Sequence, residues 1–205
     1  MPAVDSSSIS PFSARQRLVD AAVELFATRG FQAISLRDLA GHVGLHAGSL
    51  YHHIENKEGL LFELIESALS DLQATTEHCL SGAKNPAERL HRFVQAFVSF
   101  TLNEKDRLVL VTREFVNLNE EHKHQADQLK NNYRTLLYEI IADECGVQNK
   151  LDSKTRLITS AIIGMLYGQL QWNEVEITEQ HLTELLTDCV LRIIASTKEG
   201  ESIMI

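Results

Sequence analysis

The sequence predicts an all-α fold of nine helices, arranged as a small N-terminal head and a larger C-terminal body. Apolar residues recur at spacings of three and four along most of the 205-residue chain, as they do on the buried face of a helix. Residues that start and stop helices punctuate this pattern. Alternating apolar and polar runs between hairpin turns do not occur in the sequence, which disfavours a sheet-containing fold.

Residues 13–58 are predicted to form a head of three helices. Ser13 begins the pattern of a capping box, so we expect the first helix to start there. Gly30 should end this helix, because glycine readily adopts the backbone conformation of a helix C-terminus. Phe31 would then pack back on Phe26.

Residues 35 to about 54 predict two short helices joined by a tight turn at Gly44, where a positive φ is needed. Ser35 and Asp38 supply a start signal for the first of these helices. Each helix carries an apolar stripe, formed by Leu36, Leu39, Ala40 and Val43 and by Leu45, Leu50 and Ile54. The second helix keeps small or hydrogen-bonding side chains free, namely Ala47, Ser49, Tyr51, His52 and His53. Such a face suits base edges and phosphates, although an ordinary corner between two helices shares the same turn.

The remaining residues, 59–205, are predicted to form the body. Asn56 should cap a long fourth helix that leaves the head and runs to about residue 80. Asn85 followed by Pro86 starts another helix, and Gly146 lies where a long helix should end. The other body helices are expected at 86–103, 120–144, 152 or 153 to 172 and 178–196, with a shorter apolar segment at 108–118.

Composition limits the class of protein. The chain is 44% hydrophobic, enough for a sizeable core. Its longest apolar runs are far shorter than the roughly 18 residues that cross a bilayer, so no membrane association is expected. Residues 1–12 lack the basic group and apolar core of a signal peptide. We therefore expect a disordered arm at 1–12 and a cytoplasmic protein.

The net charge of −9 lies mostly in the body. The first 60 residues hold five basic and six acidic groups, together with four of the nine histidines. Protonation of these histidines could turn the head positive near phosphates. Nonspecific binding to nucleic acid should still be weak, since it depends on Lys and Arg.

Three cysteines are widely spaced in helical contexts, at Cys79, Cys145 and Cys189. An odd number at such spacings favours plain thiols over a disulfide framework or a zinc site, with redox sensing as the alternative. The histidines at 52–53 and at 122 and 124 lack further ligands at metal-site spacing. Phosphate-binding glycine loops and hydrolase motifs are missing too. The sequence thus predicts no metal, no cofactor and no enzyme.

The head resembles that of the TetR family of bacterial transcriptional regulators. The resemblance is carried by residues 35–59 and extends upstream through residues 15–36 and downstream through the runs Leu50 to Ile54 and Asn56 to Leu61, whereas the body agrees only in its layout of helices. It implies a two-domain regulator with a helix-turn-helix head and a ligand-binding, dimerising body. Such a protein is expected to act as a repressor on a palindromic operator in double-stranded DNA and to be released by a small apolar effector.

The resemblance also implies roles for single residues in DNA binding. Tyr51, His53 and Lys57 match positions that contact phosphates in the family. Base reading would fall to Arg37, through guanine, and to the small or polar residues of the second helix; the predicted DNA-binding set is Ser35, Arg37, Ala47, Gly48, Ser49, Tyr51, His52, His53 and Lys57. His46 departs from the family pattern, in which a capping serine is common at that position.

The last two helices are expected to form a homodimer interface. The family pairs these helices into a four-helix bundle, and a two-fold operator needs two heads. The predicted interface comprises Leu157, Ala161, Ile162, Met165, Leu182, Leu185, Leu186, Cys189 and Ile193. Gly164 and Gly168 would allow close helix approach. The alternative is that these apolar stripes pack inside the body.

Polar groups on otherwise apolar body helices predict an effector cavity. Its candidate lining is Arg113, Glu114, Asn117, Tyr133, Tyr167, Gln171 and Trp172. The segments around Arg113 and Gly164 resemble the family branch that senses fatty-acid or steroid thioesters of coenzyme A, which implies a lipid-like or acyl-CoA effector. Two alternatives stay open: a DNA-binding regulator controlled by a protein partner without a small molecule, and a helical enzyme that reuses the fold.

Overall fold

The computed structural model describes residues 11–146, 152–172 and 177–199, and these form nine α-helices without a strand. The helices are α1 Pro11–Arg29, α2 Leu36–His42, α3 Ala47–Leu50, α4 Lys57–Leu80, α5 Pro86–Asn103, α6 Lys105–Val109, α7 Glu120–Cys145, α8 Ser153–Trp172 and α9 Glu179–Glu199. A π-helical turn, Leu110–Glu114, and a 3-10 turn, Phe115–Asn117, join α6 to α7. We call Leu110–Glu114 the π turn. The predicted all-α architecture is confirmed for these residues.

Most helix ends coincide with the predicted start and stop residues. Asn56 and Asn85 each accept a hydrogen bond from a backbone N–H in the first turn of their helix, at 2.7 and 2.8 Å. Gly30 ends α1 with φ of +90°, and Gly146 ends α7 with φ of +65°. Phe31 then packs edge-on against Phe26, as expected, with ring centroids 5.2 Å apart.

Two helices of the head differ from the prediction, and in the body the segment predicted at 108–118 forms the end of α6 and the two turns that follow it. The first begins at Pro11, two residues before Ser13, so the end of the predicted 1–12 arm is helical. Proline is well tolerated in a first turn because its missing N–H would have no partner there. The rest of that arm, 1–10, lies outside the described residues. The second is α3, which has only four residues and gives way to a turn at 51–53, short of Ile54.

Helix α3 is short and begins without a side-chain cap. His46 occupies the N-cap but makes no side-chain hydrogen bond to the α3 backbone, so the helix lacks the cap that serine or aspartate would supply. After Leu50 the chain continues through tighter bonds between residues three apart, such as His52 N–H to the Ser49 carbonyl at 3.2 Å. Helix α3 and the turn at 51–53 are therefore held in place by their packing more than by their own helical hydrogen bonds.

Two hydrophobic cores meet along α4. The head core joins α1, α2 and α3 to the first half of α4, and it also takes in Leu110, Val111, Leu118 and Ala126. The body core joins the end of α4 to α5, α7, α8 and α9, and it includes Leu108. Residues 108–118 thus belong partly to each core, and we call them the seam. Where one domain ends and the next begins, predicted at 58–59, stays a prediction.

Within the described residues, no helix is long and apolar enough to cross a membrane. None of the three cysteines forms a disulfide within this part of the chain. No three His, Cys, Asp or Glu side chains in this part of the chain are placed to hold one metal ion.

Candidate DNA-binding surface and ligand cavity

The helix-turn-helix is held by a capping box and a glycine turn. The Ser35 hydroxyl accepts from Asp38 N–H at 3.2 Å, and the Asp38 carboxylate accepts from Ser35 N–H at 2.7 Å. Gly44 adopts φ of +71°, a conformation that side-chain-bearing residues rarely take. Leu39 and Leu50 are both fully buried in the head core. This packing fixes α3 against α2.

The packing leaves one face of the motif exposed, formed by Arg37, Gly48, Tyr51 and His52, which we call the recognition surface. Tyr51 keeps 62% of its surface accessible, unusual for a large aromatic residue. Within the described residues, the side chains of Arg37, Tyr51 and His52 make no hydrogen bond or ion pair. A Cβ on Gly48 would meet nothing within 4 Å. The surface is therefore available to an external partner.

Several of the other residues predicted to bind DNA are less exposed or already hydrogen-bonded. Ser49 and His53 are half-buried, and the side chain of Ala47 lies outside the described part of the structure. The Ser35 hydroxyl also donates to the Asp38 carboxylate at 2.6 Å, so it is engaged in the cap. DNA contact by these residues stays a prediction.

Lys57 lies partly inside its own head. Its Nζ is 4.0 Å from the centroid of the Phe31 ring, a distance typical of a cation–π contact. Burial lowers the pKa of Lys57, while the nearby carboxylates of Asp38 and Glu114 act in the opposite direction. A phosphate contact by this amine would have to compete with the aromatic ring.

A cavity of about 410 Å³ opens between the two turns of the seam, α7 and α8. Its lining is Val111, Thr112, Phe115, Val116, Asp127, Lys130, Asn131, Tyr133, Arg134, Ile163 and Tyr167. Two predicted effector residues, Tyr133 and Tyr167, are thus brought together. The volume lies within the range of about 300 to 1,000 Å³ that small-molecule sites occupy.

The cavity has an aromatic floor and a charged side, where Lys130 and Arg134 lie with Asp127, whose carboxylate is 3.4 Å from the Lys130 Nζ. The Tyr133 hydroxyl lies 3.3 Å from the hydroxyl of Thr76 in α4, and because Thr76 donates its own proton to the Leu72 carbonyl, Tyr133 is the donor. Burial raises the pKa of both Tyr133 and Tyr167, so both hydroxyls stay protonated. Lys130 and Arg134 lie one turn apart on α7, with the Lys130 Nζ 3.7 Å from the Phe115 ring centroid. The sequence analysis missed this basic pair, whose spacing of four was its only signal.

Three predicted effector residues lie outside the cavity lining. Arg113 donates through Nη2 to the carbonyls of Phe26 and Ala27 in α1, at 2.7 and 2.6 Å. Asn117 donates to Glu114 at 2.8 Å, and the Glu114 carboxylate also accepts from Arg113. Their polar groups are satisfied by one another and by the head, so the structure does not bring them to the cavity. The side chains of the other two candidates, Gln171 and Trp172, lie outside the described residues.

The predicted dimer residues divide between a surface and the core. Leu157 is 72% exposed and Leu185 is 47% exposed, and both lie beside the exposed Ala161 and Cys189; we call these four residues the α8–α9 face. Met165 and Ile193 are half-buried. Ile162, Leu182 and Leu186, in contrast, are buried in the body core of their own chain, because an apolar stripe this broad faces inward on one side.

The glycines of α8 border the α8–α9 face. A Cβ on Gly164 or Gly168 would meet nothing within 4 Å, so the chain itself does not require glycine there. Close approach of a second helix is a reason for glycine at both positions.

A larger open groove of about 800 Å³ runs between α1, α4 and the corner of α5 and α6. Its lining is mostly charged, and the ion pairs of Arg15 with Glu63 and of Arg107 with Asp71 cross it. The groove lacks the apolar walls typical of small-molecule sites.

Comparison with known proteins identifies both parts of the chain. Residues 18–64 match the model of the bacterial regulatory proteins of the tetR family. Residues 83–194, more than half of the chain, match the tetracyclin repressor-like C-terminal domain. The HTH-type transcriptional repressor KstR2 of Mycobacterium tuberculosis is 38% identical over 84 residues, which are 41% of this chain and 42% of that protein. The aligned region therefore spans less than half of that relative.

Solved structures agree in fold. The TetR family transcriptional regulator PfmR from Thermus thermophilus matches with a TM-score of 0.75 and 28% identity, over 86% of this chain and 97% of that one. AibR, solved in complex with isovaleryl coenzyme A and operator DNA, matches with a TM-score of 0.74 and 21% identity, over 85% and 96%. At that identity the likeness to AibR shows the fold alone. From the two family models together, the chain belongs to the TetR family of bacterial regulatory proteins.

Proposed function

We propose that this chain is a ligand-responsive transcriptional repressor that binds a palindromic operator in the cytoplasm as a homodimer. The observation that carries the proposal is the recognition surface: Arg37, Tyr51 and His52 extend from a rigidly packed helix pair and have no partner in the described chain. An Arg beside a short helix can pair with guanine O6 and N7, and a Tyr hydroxyl can donate to a phosphate.

The α8–α9 face supports a dimer. Large apolar side chains such as Leu157 and Leu185 are exposed there next to glycines that leave room for a partner helix. Exposed apolar groups clustered in this way are typical of protein interfaces. A two-fold pair would present two heads to the two half-sites of a palindrome.

The cavity supports an acyl thioester of coenzyme A as the effector class. The fold relative AibR was solved in complex with isovaleryl coenzyme A. In this chain Phe115 and Ile163 would accept an acyl group, while Lys130 and Arg134 would face phosphates. About 410 Å³ suffices for the acyl part, with the nucleotide lying towards solvent. A regulator controlled only by a protein partner would have no use for this cavity.

The proposed mechanism is linkage between two sites. An effector that fits only the arrangement with the heads away from groove spacing lowers operator affinity by its differential binding, typically about 1 to 3 kcal/mol. Helix α4 connects the sites, because it begins in the head at Lys57 and its Thr76 meets Tyr133 on the cavity floor.

Selection of bound duplexes from a random double-stranded pool tests the proposal. We expect a palindromic consensus whose half-sites are about one helical turn apart or a multiple of it, bound by two copies of the chain in native mass spectrometry. Fluorescence anisotropy with the selected duplex then measures release by isovaleryl coenzyme A, with coenzyme A alone as the control. Failure to enrich a symmetric site would overturn the repressor, and equal release by both compounds would overturn the acyl effector.

A further inference from the structure

Some residues of the seam line the cavity, and others contact the head. Val111, Thr112, Phe115 and Val116 line the cavity. Of the residues between and beside them, Arg113 and Asn117 hydrogen-bond to the head, and Glu114 accepts from both of these side chains. The cavity contacts and the head contacts thus lie within the same short stretch of backbone.

Arg113 caps a helix that is distant in sequence. Its Nη2 donates to the carbonyls of Phe26 and Ala27 in the last turn of α1, and the Phe26 carbonyl also accepts from the Gly30 N–H at 3.0 Å. The guanidinium also places positive charge at the negative end of the α1 dipole. The C-terminus of α1, and with it the packing of Phe31, is therefore stabilised by a residue outside the head.

The guanidinium is held in position from both sides. Its Nε donates to Glu114 at 2.7 Å, and Glu114 is 5% exposed. Asn117 donates to the second carboxylate oxygen and accepts from Gln32 of the head at 2.7 Å. This network couples the orientation of Arg113 to the backbone geometry of the seam.

That backbone geometry is unusual. A π-helical turn contains one more residue than the α-helical turn it replaces, and such turns are rare and frequent at functional sites. A return to α-helical bonding would rotate the following side chains by about 100° around the axis. Arg113 lies inside the π turn, so a rearrangement of this turn would also move its guanidinium relative to the end of α1.

We propose that the π turn is a coupling device in which filling of the cavity displaces the π turn, withdraws Arg113 from the end of α1 and loosens the head. The effector role of the cavity rests on the proposed function. The connection between cavity and α1 is independent of which DNA or ligand the protein binds. Arg113 is on this view a positioning residue for the head.

A double-mutant cycle tests the coupling without a known ligand. Ile163→Phe fills the cavity from α8, and Arg113→Met removes the guanidinium but keeps an unbranched side chain. Hydrogen exchange of backbone amides 26–34, in the full-length protein, reports on the end of α1. Each single variant should raise exchange there by about tenfold, and the double variant should exceed neither. Arg113→Lys should be intermediate, since an ammonium retains the charge without the planar fork.

The controls separate coupling from general loss of stability. Arg89→Met removes an ion pair between α5 and Asp143 of α7, far from the seam, and should leave exchange at 26–34 unchanged. Additive effects of the two variants, or exchange at the wild-type level in Arg113→Met, would overturn the coupling. If duplex selection fails but the cycle is non-additive, the proposed function is wrong and the coupling stands.

Discussion

The recognition surface and the seam both carry polar residues in or beside helices, but their side chains differ in whether they are hydrogen-bonded within the chain. Arg37, Tyr51 and His52 have no partner in the described chain. Arg113, Glu114 and Asn117 are hydrogen-bonded to one another and to the head. The difference shows that residue type does not reveal a binding site. What matters is whether other groups of the same chain already satisfy the polar group.

The strongest test of this comparison is Arg37→Ala. An unpaired arginine that reads a guanine should cost about 1 to 3 kcal/mol of DNA affinity per half-site when removed, and preference should relax at one base position. Protein stability should change by less than about 0.5 kcal/mol, because the exposed Arg37 side chain makes no hydrogen bond or ion pair with the residues that the structure describes. Anisotropy titrations with the selected duplex measure the affinity. Lys84→Ala, exposed beyond the end of α4, is the matched control and should bind as wild type.

Glu114→Gln tests the paired side of the comparison. The buried carboxylate accepts hydrogen bonds from Arg113 and Asn117, so its neutralisation should lower the free energy of unfolding by about 2 kcal/mol. Urea unfolding of the full chain measures this loss. Glu120→Gln removes an exposed carboxylate that pairs only with Lys123 and should change stability by less than about 0.5 kcal/mol. Equal losses in the two variants would contradict the structural role of Glu114.

Ser35 is predicted to bind DNA, but in the structure its hydroxyl caps α2. The variant Ser35→Ala separates these two roles. Loss of the hydroxyl that accepts from Asp38 N–H should destabilise the head by about 1 kcal/mol. Ser70→Ala, an exposed change inside α4, should be neutral or slightly stabilising, since alanine is the better helix former. A weaker DNA affinity with unchanged stability would instead assign Ser35 to the duplex.

The smallest expected effect is the pH dependence of protein stability that Asp38 contributes. Hydrogen bonds from the Ser35 hydroxyl and backbone N–H hold the pKa of Asp38 below its usual 3.8. The unfolded chain therefore binds more protons, and the contribution of Asp38 is present above about pH 3.8 and is lost as pH falls through the folded value. Asp38→Asn should be less stable than wild type at about pH 7, with the difference narrowing at about pH 3.5 in urea unfolding. A constant difference would show that the charge contributes nothing.

The sequence predicts features that depend on neighbouring residues. The caps at Ser35, Asn56 and Asn85 follow from bonds within one turn, and the structure contains all three. The apolar spacing predicts that the second helix of the motif extends to about Ile54, but α3 ends at Leu50, and His46 provides no side-chain cap at its start. The partners of Arg113 lie 87 and 86 positions away, so no local pattern could distinguish a ligand contact from a contact with the head.

The head core extends beyond the head. Leu110, Val111, Leu118 and Ala126 close it from the far side of the chain. A chimera that transplanted residues 13–58 onto the body of another relative would leave the head side of this core, including Phe26, facing foreign side chains, and α1 would lose the arginine that contacts its last turn. Exchange of operator preference between family members therefore requires the donor's 108–118 segment to travel with its reading helices.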